Sequence, residues 1–189
     1  MSKKLVSGDQ GLDYTIEGPI GRSIKIPEGF KGHIILIAGG TGILPFLDLL
    51  EFILKKAIYS ICRRDNIDPS FIHPQQDYDQ YFPGAKFTLL SAFRTIDDFT
   101  GVECISDLYG ICKHNGLDMF DALIRVKGLS IEHGLPTTES LFNTEWLNAY
   151  VNQTEEELIL ICGPPTMQAS LYKSLNKDLK ISDDKIIFV

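Results

Sequence analysis

Apolar and polar positions follow one another along this chain in two rhythms. Residues 33–38, 86–93, 121–127, 157–162 and 185–189 are short apolar, β-branched or aromatic runs bounded by turn formers or polar residues, and they predict five buried strands. Between them, residues 45–61, 104–115, 138–151 and 167–179 carry helical patterns. In the first, Leu47, Leu50, Leu54, Ile58 and Ile61 recur at three and four residues, and Pro45 suits a first helical turn, where its missing N–H has no partner to lose. Strand and helix in alternation predict an α/β fold, a doubly wound parallel sheet with helices on both faces.

Two stretches break the rhythm. Residues 1–32 are punctuated by glycines and prolines from Gly8 to Gly32 around two short β-like pieces near Tyr14 and Ile24, too little for a domain. Residues 65–85 hold Pro69, Pro74, Pro83 and Gly84 among scattered Asp, Gln and aromatic residues. They read as an irregular insertion where such folds normally use a few residues.

Composition narrows the function. A chain of 189 residues supports one domain, with at most a fragment of a neighbour. The formal net charge of -7 and an isoelectric point near 5.0 leave no basic surface for nucleic acid or an anionic membrane. The four cysteines, Cys62, Cys104, Cys112 and Cys162, show neither a Cys-x-x-Cys pair nor a histidine at zinc spacing, so no metal site is expected. Reduced thiols in a cytoplasmic or organelle-matrix compartment are. Met1-Ser2-Lys3-Lys4 does not open a signal peptide, and the apolar stretch 43–61 is interrupted by Asp48, Glu51, Lys55 and Lys56, so no membrane span is expected.

The candidate chemistry sits in two turns. The first strand ends in Gly39-Gly40-Thr41-Gly42 and passes at once into a helix. Glycines there let a pyrophosphate approach backbone amides at the positive end of the helix, and Thr41 adds a hydroxyl. No lysine follows as in a phosphate-binding loop of an ATPase, and taken alone the turn is equally a tight connection without a ligand. The fourth strand ends in Cys162-Gly163-Pro164-Pro165-Thr166-Met167 and again enters a helix. A cysteine closing an apolar strand is ordinary packing unless it lies at the carboxyl edge where the winding reverses. If strands one and four flank that point, both turns face one ligand crevice.

Gly18-Pro19-Ile20-Gly21, Gly39-Gly40-Thr41-Gly42-Ile43-Leu44-Pro45 and the Cys162–Met167 motif, in this order and approximate spacing, resemble the ferredoxin reductase-like family, and within it the cytochrome b5 reductase and nitrate reductase flavin-module branch. The resemblance implies an NAD(P)-binding domain over residues 33–189, with five strands in the order 3-2-1-4-5, preceded in residues 1–32 by the end of an FAD-binding β-barrel. It implies Ser2 at the FAD pyrophosphate, and Gly39, Gly40, Thr41, Gly42, Ile43 and Pro45 about the nucleotide pyrophosphate and nicotinamide ribose. Cys162 would position the nicotinamide ring without acting as a nucleophile, with Thr41 its catalytic neighbour, and Gly163, Pro164, Pro165 and Met167 would shape that wall. Arg94 and Asp98 would meet the adenosine end, where an acidic residue favours NADH over NADPH. Arg94 pairs there with a phosphate, or with Asp97 or Asp98 as a surface ion pair. Phe188 lies against the flavin, or packs the last strand. The family's flavin-holding Arg-x-Tyr-Ser/Thr motif is missing from the sequence.

These readings combine into one expectation and one rival. The first is the NADH-binding module of a flavin-dependent oxidoreductase. FAD is then held by a missing barrel in cis or trans, and a cytochrome-like protein or a quinone-type molecule accepts the electrons. The rival is a non-catalytic nucleotide-binding or interaction subunit without the flavin domain, whose acidic, aromatic loop from Arg64 to Phe82 is either its partner surface or a solvated insertion.

Overall fold

The computed structural model describes residues 24, 26–27, 29–72, 77–126, 134–138, 144–151 and 156–189. Among them run six strands: β1 His33–Gly39, β2 Lys86–Ala92, β3 Phe120–Arg125, β4 Thr137–Thr138, β5 Glu157–Cys162 and β6 Ile186–Phe188. They form one parallel sheet in the order β4-β3-β2-β1-β5-β6. The helices are α1 Leu44–Arg64, α2 Val102–His114, α3 Thr144–Asn148 and α4 Pro165–Tyr172, the last continuing into a π turn over Lys173–Asp178. No described helix is long and apolar enough to cross a membrane.

Without β4 the order is the expected 3-2-1-4-5. The sixth strand corrects the expectation of five. Thr137 and Thr138 pair with Ile124 and Arg125 at the sheet edge, and Ile124 N–H donates to Pro136 O at 2.9 Å. Two residues carry no period, and Thr138, read from sequence as opening a helix, is instead held extended by the free edge of β3. Of that helix the described part is α3. The expected barrel remnant, Ser2 included, lies outside the described residues except at 24, 26–27 and 29–32.

β1 is buried along its whole length because it is covered twice. Ile34, Leu36 and Ala38 pack with Phe46, Leu50 and Ile53 of α1 and Leu108 of α2. Ile35 and Ile37 pack with Leu147 of α3 and Leu171 of α4. A strand with no wet face reads as an unbroken apolar run, as this one does. On α1 the innermost line is Phe46, Leu50, Ile53 and Ala57, fully buried, whereas Leu47, Leu54, Ile58 and Ile61 of the expected stripe are only partly buried. The helix touches the sheet on one side and α2 with residues 65–85 on others, so its apolar stripe is too broad for periodicity to mark the centre.

The insertion is tied down. Short 3-10 turns at Pro69–Phe71 and Tyr78–Gln80 open on Asp68 and Asp77, whose carboxylates accept from the N–H of Ser70 and Asp79. Tyr78 is buried, its ring 5.3 Å from Phe52 and 5.5 Å from Tyr59. Lys56, also buried, donates from Nζ to the Tyr78 carbonyl at 2.8 Å, and burial pushes its ammonium below the ordinary lysine range.

Three buried polar side chains cluster at the amino end of the sheet, while buried Ser91 near the carboxyl end of β2 directs its hydroxyl to the Ala38 carbonyl at 3.5 Å. At the amino end His33 Nε2 lies 2.8 Å from Thr88 Oγ1 and Nδ1 lies 3.4 Å from Glu157 Oε1, all three residues buried. The carboxyl edge carries the turns.

Candidate functional site

β1 has β2 on one side and β5 on the other, so the winding reverses between β1 and β5, and ligands of such sheets bind outside the carboxyl ends at that point. Ala38 pairs with Cys162 there, which brings the two glycine turns side by side. Gly40–Ile43 form a 3-10 turn that runs directly into α1, with Pro45 in the first helical turn. The leading amides of this continuous run have no intrahelical partner.

The glycines serve two different purposes. A methyl on Gly42 would collide with the Cys162 carbonyl and lie 2.8 Å from Gly163 N. One on Gly39 would strike Met167 Sδ, and one on Gly163 would strike Met167 Cε while sitting 3.2 Å from Gly39 Cα. These three glycines therefore let the two turns and the Met167 thioether interlock. Sequence reasoning credits them to ligand approach, because it does not reveal that Met167 folds back between them. Gly40 differs: its φ is +55°, and nothing stands within 4 Å of a carbon built on it. Open backbone in a left-handed turn, beside exposed Thr41, is the part of this edge that fits a phosphate-bearing ligand. Ile43 is fully buried in the core with Phe46, so its side chain faces away from the crevice, while Leu44 is exposed.

On the second turn, Pro164 and Pro165 are exposed and Met167 N–H donates to Pro164 O at 2.9 Å, opening α4. Gln168 Nε2 donates to the Gly163 carbonyl at 2.9 Å and braces the turn from behind. Cys162 is partly buried, and burial pushes its thiol up, so it is protonated at neutral pH. That suits a positioning group and not a nucleophile.

The strand pleat separates Cys162 from Phe188. Phe188 is in register with Ile161 and so shares its face, whereas Cys162 points to the opposite face with Ile187 and Val189 against the α1–α2 core. Phe188 instead lies 6.0 Å from the Tyr172 ring, and with Pro165, Gln168 and Ala169 these two line an open cavity of about 310 Å³ on the α4 side.

The loop after β2 lies next to the first turn, since Gly39 pairs with Ala92. Phe93 and Phe99 are buried, their rings 4.4 Å apart, and Gly101, at φ +81°, packs closely against Leu47 of α1. Asp98 Oδ2 accepts from the Thr95 N–H at 3.2 Å and from Thr95 Oγ1 at 2.9 Å, which supplies the carboxylate half of a capping box over the Ile96–Asp98 turn, while the Asp98 N–H goes to Thr95 O and not to Oγ1. The Thr-x-x-Asp signal is in the sequence. Arg94 is exposed, and neither Asp97 nor Asp98 is among its ion-pair partners in the described residues. Sequence reasoning misses Arg125. Its Nε is buried at the carboxyl end of β3 without a hydrogen bond among the described residues, and its carbonyl accepts from Phe93 N–H at 2.8 Å.

No family model matches the sequence. An NADH-cytochrome b5 reductase-like protein of Arabidopsis thaliana is 26% identical over 174 residues, covering 88% of this chain and 42% of its own length. A ferredoxin–NADP reductase of Spirulina is 40% identical over 55 residues, 29% of this chain and 19% of its own. The chain thus spans less than half the length of these curated relatives. Among solved structures, the cytochrome b5 reductase domain of Ulva prolifera nitrate reductase superposes with a TM-score of 0.61 at 18% identity, covering 100% of this chain and 65% of that one. The CS-b5R domains of human Ncb5or, in an NAD+ form, give 0.55 at 17% identity, with 91% and 39% covered. At these identities the superpositions establish the fold.

Proposed function

The relatives and structural neighbours match the ferredoxin reductase-like family, and from that premise we propose that this chain is the pyridine-nucleotide module of a flavin-dependent reductase. The observation that carries the reading is the pair of interlocked turns at the winding reversal, with Gly40 leaving open backbone at the head of α1. Gly40, Thr41 and the leading amides hold the pyrophosphate and ribose. Cys162, Pro164 and Pro165 form the wall beside the nicotinamide, and Arg94 and Asp98 meet the adenosine ribose, with NADH favoured over NADPH. Bound NADH would supply a hydride, and FAD held on a barrel in cis or trans would supply the site that accepts it, with a cytochrome-like protein or a quinone-type molecule as the further electron acceptor. The chain's own contribution is orientation and exclusion of water.

One observation favours the rival reading of a non-catalytic interaction subunit. Ile67 and Phe71 of the insertion are 52% and 69% exposed although the segment around them is anchored. Calorimetry separates the two. NADH is expected to bind with a single-site isotherm and ATP far more weakly. Failure of both NADH and NADPH to bind contradicts the module and leaves the rival.

A further inference from the structure

We infer that Thr95 is a positioning residue for nucleotide discrimination, acting through Asp98; the inference rests on the nucleotide reading above. Asp98 is exposed beside the first turn, and among the described residues both hydrogen bonds to its carboxylate come from Thr95 and fall on one oxygen, Oδ2. Two donors from one residue fix the carboxylate's direction. Oδ1 is left as the acceptor for an incoming group, because no described residue donates to it.

The mounting is rigid. Asp98 N–H donates to Thr95 O at 3.3 Å and Thr100 N–H to Asp98 O at 3.0 Å, closing the turn on itself. The buried Phe93–Phe99 pair holds it from below, and Gly101 seats its far end against Leu47. A carboxylate fixed in this way is a ready acceptor for a ribose diol and a fixed negative charge against a phosphate on the same ring. Arg94, exposed and next in sequence to Thr95, attracts the same phosphate. The preference between the two nucleotides is thus the balance of a held anion and an exposed cation, and Thr95 Oγ1 does the holding.

Thr95→Val removes Oγ1 while keeping the backbone N–H and the side-chain volume. Thr95→Ser restores the hydroxyl. The dissociation constants of NADH and NADPH are measured at one ionic strength for the wild-type chain and each variant, with thermal unfolding as a check on folding. In Thr95→Val the ratio of the NADPH constant to the NADH constant is expected to fall about tenfold, through weaker NADH binding without weaker NADPH binding. In Thr95→Ser it is expected to return to within about twofold of wild type. Thr95→Ala also lacks Oγ1 and adds no bulk, so it shifts the ratio in the same direction and decides the matter if Thr95→Val does not fold. Equal weakening of both nucleotides, or an unchanged ratio, in a chain whose wild type binds overturns this inference alone. A wild-type chain that binds neither nucleotide removes the nucleotide reading, and this inference with it.

Discussion

Gly42→Ala is expected to destabilise the protein by about 3 kcal/mol and to lower the unfolding midpoint by roughly 9 °C. The added methyl meets the backbone of Cys162 and Gly163, not the tip of a flexible side chain, so the two turns must move apart or the first turn must unwind. Both responses disturb the packing of β1 against β5 at its carboxyl end. Gly40→Ala is the control. It meets no atom within 4 Å and costs only the left-handed backbone, about 1 kcal/mol. Denaturant titration measures the first effect, and nucleotide affinity measures the second. Gly40→Ala keeps most of the stability while weakening NADH, because its methyl stands where the pyrophosphate approaches. Similar stability losses in both variants contradict the division of labour between these glycines.

Tyr78→Ala is expected to cost about 4 kcal/mol, the usual range for emptying a large aromatic site. Its ring joins Phe52 and Tyr59 of α1, and its carbonyl takes the bond of the buried Lys56. With the ring gone, the insertion loses its anchor and the Lys56 ammonium loses its cover. Nucleotide affinity is expected to stay unchanged, because the contacts of Tyr78 lie in the body of α1 and not at the head of the helix. A loss below about 1 kcal/mol would mean that residues 65–85 are an ornament on a self-sufficient domain.

What the sequence reveals here follows from how local each decision is. β1 is legible because a strand buried on both faces must be apolar throughout, and β5 is legible for the same reason. β4 is not, because its two residues are strand only by virtue of the neighbouring edge of β3. The kind of element is clear for α1, but its innermost face is not, because three surroundings share its apolar side. At the site, the two turns stand out in sequence as glycine-rich strand ends. That they touch depends on β1 and β5 being neighbours, and that Gly39 and Gly163 accommodate Met167 depends on a side-chain conformation. The opposite facing of Cys162 and Phe188 follows from the register of β5 with β6, which no local pattern encodes. The Thr95–Asp98 pairing is the reverse case, a local signal visible in four consecutive residues and overshadowed by the ligand role of Asp98.

The central claim is that one nucleotide lies across both turns. Hydrogen exchange of the wild-type chain, followed by mass spectrometry with and without saturating NADH, tests it most directly because it reports where backbone amides become protected. The account predicts added protection in peptides covering residues 39–44 and 162–168 together, with a smaller effect over residues 94–99. Protection confined to one turn, or appearing only at the insertion or at the amino end of the sheet around His33, would contradict it.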